Sequence, residues 1–232
     1  MYYLIIQMIN YIKYIFESQL NKPKLVRESS YQWTLTFYVY NLFKSLFYYH
    51  NSIHTINDIE KSFADVILSN EDKERVIQLA IATRNTRVTG APYRHVLLHG
   101  PPGTGKTLIA RRLAKTSDMD FAILSGGDVG PLGSDAVNQL HRLFSWASNS
   151  KRGLLVFIDE SEAFLSSRAI TNSTMISGED SHLRHALNAL LYQTGSQSNK
   201  FMLILATNRP EDLDIAILDR MDISLSIGLP GL

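Results

Sequence analysis

The octapeptide Gly100-Pro101-Pro102-Gly103-Thr104-Gly105-Lys106-Thr107 satisfies G-x-x-x-x-G-K-[ST], and it stands between a short apolar run and a helical stretch. Residues 95–99 (HVLLH) read as a buried strand and residues 108–114 as the helix that follows. Glycines let the backbone wrap until its N–H groups converge on phosphate oxygens, with Lys106 as a point charge and the Thr107 hydroxyl as a magnesium ligand. Leu108 closes the binding segment. The order strand, glycine loop, helix is the context such a phosphate-binding loop requires.

The rest of the pattern places that loop in an α/β domain. Residues 121–124, 154–158 (LLVFI), 201–206 (FMLILA) and 223–232 read as further strands, each short and apolar. Ser69-Asn70-Glu71-Asp72 opens a helix with Val76, Leu79 and Ala80 on one face and an end near Arg84 to Arg87. Ser134 caps another, with Leu140, Leu143, Phe144 and Ala147 at core spacing. Apolar strands separated by helices predict a three-layer α/β/α domain over residues 62–232, around a mainly parallel five-stranded sheet. Residues 166–181 are polar and read as a surface loop.

Three strand ends bring chemistry to the loop. Asp159 and Glu160 end LLVFI: Asp159 suits magnesium, directly or through water, and Glu160 suits orienting and polarising an attacking water. A second acid of this kind favours hydrolysis over transfer to another acceptor. Asn208, after FMLILA, presents a neutral amide able to bond both the water and a phosphate oxygen, or it simply starts the following turn. Arg220, just before the last strand, is either a solvated surface cation or a charge supplied to a neighbouring subunit's phosphate.

Composition removes several alternatives. With 23 Lys and Arg against 22 Asp and Glu, the formal charge of +1 provides no field for nucleic acid, so no sequence-specific nucleic-acid partner is expected. The absence of cysteine excludes disulfides and thiolate sites. Residues 1–61 form a hydrophobic, aromatic extension expected to be helical, with apolar stretches at 1–16 and 35–49. Both are shorter than the roughly 20 residues of a spanning helix and are interrupted by polar residues. Packing on the main domain and resting on a bilayer surface both suit them.

Taken in order, GPPGTGKT, LLVFIDE, LATNRP and ILDR resemble the motifs of an AAA ATPase. The resemblance implies ATP and Mg2+ as cofactors and a homo-oligomeric, hexameric ring, with each ATP between one subunit's loop and the next subunit's Arg220. Residues 21–29, 81–86, 126–133 and 198–203 are similar to a mitochondrial inner-membrane branch of the family, associated with mitochondrial nucleoids. That likeness implies inner-membrane attachment through the amino end. The chain departs from the family in having Pro131-Leu132-Gly133 where a pore-lining aromatic is usual, and Ile223 where many members place a second arginine. By the same comparison a helical lid is expected after residues 228–230 and a coiled coil and membrane span before Tyr14, which suggests a fragment. Two functions follow as expectations: magnesium-dependent ATP hydrolysis in a ring, or a lidless nucleotide-binding scaffold with little turnover.

Overall fold

The computed structural model of the chain describes residues 23–30, 56–150, 152–166 and 178–229. Six strands form one sheet: β1 (Glu28–Ser29), β2 (Val96–His99), β3 (Asp120–Ser125), β4 (Leu154–Asp159), β5 (Phe201–Thr207) and β6 (Ile223–Ser226). Their spatial order is β1-β3-β4-β5-β2-β6. Every neighbouring pair from β3 to β6 is parallel, while β1 runs antiparallel on the outer edge of β3. The expected five strands are thus corrected to six. A two-residue strand is too short to leave a periodic signal, and β1 is defined only by pairing Glu28 with Ile123 and Ser29 with Ala122.

Helices α1 (Ile56–Ser62), α2 (Asn70–Thr89), α3 (Lys106–Thr116), α4 (Ala136–Ser148), α5 (Glu162–Leu165), α6 (Gly178–Gln193) and α7 (Ile215–Leu218) surround the sheet. Strands β4 and β5 are apolar up to their last residues, Asp159 and Thr207, because successive side chains go to opposite faces and both faces are covered. On one face Val156, Ile158, Leu203 and Leu205 meet Leu140 and Leu143 of α4 and Leu187 and Leu190 of α6. On the other, Leu155, Phe157 and Ile204 meet Val76 and Leu79 of α2 and Ile109 and Leu113 of α3. Removing a ring as buried as Phe157 would cost about 3–5 kcal/mol. These two cores hold the sheet rigid under the strand ends.

Element boundaries differ from expectation for local reasons. Helix α2 begins as expected, with Ser69 accepting from the Asp72 N–H at 3.1 Å. It continues to Thr89 because the first residue to take the left-handed conformation is Gly90, at φ 69°, whose N–H closes onto Thr86 and Arg87 carbonyls. Asp135, not Ser134, precedes α4, and the 3₁₀ turn Gly130–Asp135 feeds the helix without a side-chain cap. Asp135 instead accepts from the Gln139 and Asn138 side chains at 2.9 and 3.4 Å. Helix α6 starts inside the stretch expected to be loop, of which residues 167–177 lie outside the described residues. Strand β6 stops at Ser226.

Of the expected amino-terminal extension, residues 1–22 and 31–55, including both apolar stretches, lie outside the described residues. Within the remainder, Glu28–Ser29 is strand and Ile56–Ser62 helix, while Leu25 and Val26 are buried in the domain core. Among the described residues no helix is long and apolar enough to cross a membrane.

Candidate functional site

Parallel strands point their carboxyl ends at one edge of the sheet, and ligands of open α/β sheets bind there. Strand β2 delivers the phosphate loop to that edge. Gly100 has φ 148°, and a Cβ on it would lie 2.1 Å from the Ile227 carbonyl oxygen, so only glycine fits beside the chain leaving β6. Gly103 and Gly105 take φ values of 80° and 85°, the left-handed region that turns the loop into α3. No side chain caps α3 at Gly105. Its first-turn N–H groups, which have no intrahelical partner, therefore remain for an anion.

Lys106 is 6% exposed and spends its ammonium on three acceptors: the Gly100 and Pro101 carbonyls at 2.8 Å each and the Asn208 side-chain oxygen at 3.0 Å. Burial pulls its pKa below the ordinary lysine value, and Asp159 and Glu162 pull the other way. Thr104 braces the loop by donating to the Pro101 carbonyl at 3.0 Å. The Thr107 hydroxyl donates to an Asp159 carboxylate oxygen at 2.7 Å. Hydroxyl and carboxylate oxygens are hard donors of the kind magnesium takes, together with phosphate oxygens and water. The pair fits that ion.

Strand β5 lies between β2 and β4, so the acids at the end of β4 reach the loop past the strand that carries Asn208. Glu160 has φ 50°, unusual for a residue with a side chain, and is exposed. The turn is pinned from both sides. Ser161 directs its N–H and its hydroxyl to the Ala206 carbonyl, each at 3.0 Å, and the Ser125 hydroxyl at the end of β3 donates to the Glu160 carboxylate at 3.1 Å. Gly126 lies so close that a Cβ there would sit 2.3 Å from the Glu160 carbonyl oxygen.

Lys106, Thr107, Asp159 and Asn208 are therefore joined by direct contacts, with Glu160 on the same turn as Asp159. Arg220 is held differently. Its Nη1 donates to the Ala216 carbonyl at 2.6 Å, on α7 of the same chain, and its buried Nε has no partner among the described residues. Sequence reasoning passed over Ser125, Gly126, Ser161 and Glu162. Ser125 ends a parallel strand at the ligand-binding edge, and that position was its available signal.

The fold and this loop define the P-loop nucleoside triphosphatase fold class. Residues 96–229 match the family "ATPase family associated with various cellular activities (AAA)", and residues 72–118 match magnesium chelatase, subunit ChlI. The chain belongs to the AAA family. It is 49% identical over 216 residues to ATPase family AAA domain-containing protein 3 of Xenopus tropicalis. It is 46% identical over 215 residues to ATPase family AAA domain-containing protein 3A of Homo sapiens. In both cases the match covers 93% of this chain and 34% of the relative, so the chain spans about a third of their length. A crystal structure of the FIGL-1 AAA domain in complex with ADP superimposes with a TM-score of 0.59 at 27% identity, covering 73% of this chain and 56% of that one.

Proposed function

We propose that the chain binds ATP with a magnesium ion and hydrolyses it as one subunit of a homo-oligomeric, hexameric ring. The observation that carries this reading is the pair of contacts spanning the site, Thr107 to Asp159 at 2.7 Å and Lys106 to Asn208 at 3.0 Å. They unite the residues that three separate sequence motifs nominate. Residues 100–108 would hold the phosphates, and Lys106, now bonded to neutral carbonyl-type oxygens, would turn its charge to the outer phosphates. Thr107 and Asp159 would hold the magnesium ion, which when bound offsets charge on the phosphate oxygens.

Glu160 orients and polarises a water whose oxygen attacks the γ-phosphorus. The bond to the β–γ bridging oxygen breaks, giving ADP and phosphate, and the Glu160 carboxylate is the group placed to take the proton the water loses. Asn208 adds an amide without altering the charge of the site. Arg220 supplies its charge to the ATP of a neighbouring subunit. By the resemblance of residues 21–29, 81–86, 126–133 and 198–203 to the mitochondrial branch, the same proposal places the protein at the mitochondrial inner membrane. It is attached there through its amino end and serves mitochondrial and nucleoid organisation.

The test is phosphate release from ATP and magnesium at increasing protein concentration. Turnover that rises more steeply than linearly supports a ring in which Arg220 acts between subunits. The turn of Arg220 onto its own Ala216 carbonyl favours a second reading for the isolated subunit, a scaffold that binds ATP through Lys106 and Thr107 and releases no phosphate at any concentration.

A further inference from the structure

The residues preceding the domain core contribute something to the site that the proposed chemistry does not use. Residues 25–30 lie along the outer edge of β3, fixed by the Arg27 and Ser30 N–H groups on the Ile123 and Phe121 carbonyls at 3.0 and 3.1 Å, and by the buried Leu25 and Val26. Two adjacent side chains of this strap then reach in different directions. Arg27 grips both carboxylate oxygens of Asp128, with Nε and Nη2 at 2.5 and 2.6 Å. Glu28 is gripped by both terminal nitrogens of Arg111 on α3, at 2.7 and 2.6 Å.

The destinations matter. Asp128 ends the 3₁₀ turn Gly126–Asp128, which begins directly after Ser125, the residue whose hydroxyl holds the Glu160 carboxylate. Gly126, in the same turn, packs on the Glu160 backbone with no room for a methyl group. Arg111 belongs to α3, the helix that starts with Lys106 and Thr107. The strap therefore spans from the phosphate-binding helix to the turn against which Glu160 rests.

We propose that Arg27 is a positioning residue for Glu160: by clamping Asp128 it fixes the Ser125–Gly126 turn, so that displacing β1 slows hydrolysis while nucleotide binding persists. The proposal rests on the reading of Glu160 as the water-orienting acid. Bidentate pairing of a guanidinium with a carboxylate fixes geometry as well as charge. The Asp128 hydrogen bonds hold the Arg27 guanidinium above its ordinary pKa, and the negative charge of Glu160 adds a weaker pull of the same sign. The exposure of Arg27 argues against a stabilising role. Its side chain is 60% accessible and that of Asp128 35%, and ion pairs in such solvent-screened surroundings add little to stability. What the pair contributes is placement, and it makes the segment ahead of the domain a control point for turnover.

The test compares the parent with Arg27→Gln, Asp128→Asn, Arg27→Lys and the reversed pair Arg27→Asp with Asp128→Arg. The expected result for either single neutral variant is kcat down about tenfold, with KM for ATP within about twofold. Tm should stay within about 3 °C. Arg27→Lys and the reversed pair should recover part of the loss. Hydrogen exchange supplies a readout independent of turnover: amides of residues 125–129 and 159–162 should exchange faster in Arg27→Gln and return toward the parent in the reversed pair. Unchanged kcat in Arg27→Gln, or unchanged exchange at both sites, overturns the proposal. If Glu160→Gln hydrolyses ATP as fast as the parent, the reading of Glu160 fails on its own, and the exchange data still decide whether Arg27 holds the turn.

Discussion

The Thr107 hydroxyl, on the first turn of α3, donates to the Asp159 carboxylate at the end of β4 over 2.7 Å. The strands that lead to the two groups, β2 and β4, are separated by β5, and each group is an oxygen donor suited to the same hard cation.

If Thr107 and Asp159 hold magnesium as proposed, the nucleotide's stabilising effect should depend on that ion. At ATP near 100 times its Kd the folded state gains about 2.7 kcal/mol, a rise in Tm of roughly 5–10 °C for a domain of this size. The increment should fall sharply when magnesium is chelated. In Thr107→Ala and Asp159→Asn it should become small and insensitive to chelation, as thermal unfolding with and without magnesium will show.

Gly126→Ala should damage fold and site together. The added Cβ would stand 2.3 Å from the Glu160 carbonyl oxygen, a backbone atom held in place by the neighbouring Ser161 bonds to Ala206. Overpacking of this kind costs about 1–3 kcal/mol. A lower urea midpoint is expected, with turnover reduced by more than the loss of folded protein explains. Gly127→Ala is the control, since its Cβ would meet nothing nearer than the Ser125 hydroxyl oxygen at 3.6 Å.

His95 gives the fold an acid-sensitive point away from the chemistry. It is 5% exposed, stacks on Phe201 with ring centroids 5.8 Å apart, and its Nδ1 accepts the Leu203 N–H at 3.2 Å, which requires the neutral ring. Burial lowers its pKa, with Asp222 opposing. The folded chain therefore binds fewer protons here than the unfolded chain, whose histidine titrates near 6.5. Stability from this group is intact above pH about 6.5 and declines as pH falls from there toward the lower folded-state value. Urea unfolding between pH 7.5 and 5.5 should show this slope, and His95→Gln, although less stable overall, should lose that part of it.

Arg220→Ala should leave ATP affinity within about twofold and cut turnover by at least about 100-fold, since arginines supplied across an interface contribute about 10³–10⁵ in rate. Mixing this variant with Glu160→Gln subunits should restore part of the activity, because each then supplies what the other lacks. Recovery measured as phosphate release across mixing ratios checks it.

The contrast between these residues shows how far the sequence alone could go. The phosphate loop was legible because it is contiguous and its flanking strand and helix are the context it needs. Asp159 and Asn208 were legible as polar residues ending apolar runs, and the parallel sheet brings such ends together. Ser125 has the same placement but no distinctive residue type, and its partner is 35 positions away. The strap residues Arg27 and Glu28 pair with Asp128 and Arg111 at separations of 101 and 83, and no local pattern encodes contacts of that range. Arg220 was legible as a residue, but its direction was not. Its Nη1 turns to the carbonyl four residues earlier, which neither residue type nor motif spacing specifies.

The deciding measurement is the fate of labelled ATP on Glu160→Gln beside the parent, each with magnesium and at a concentration where the parent assembles. If Glu160 orients the attacking water, the variant binds ATP as tightly as the parent and retains it intact, while the parent releases ADP and phosphate at a steady rate. Equal turnover in the two proteins would contradict hydrolysis through Glu160.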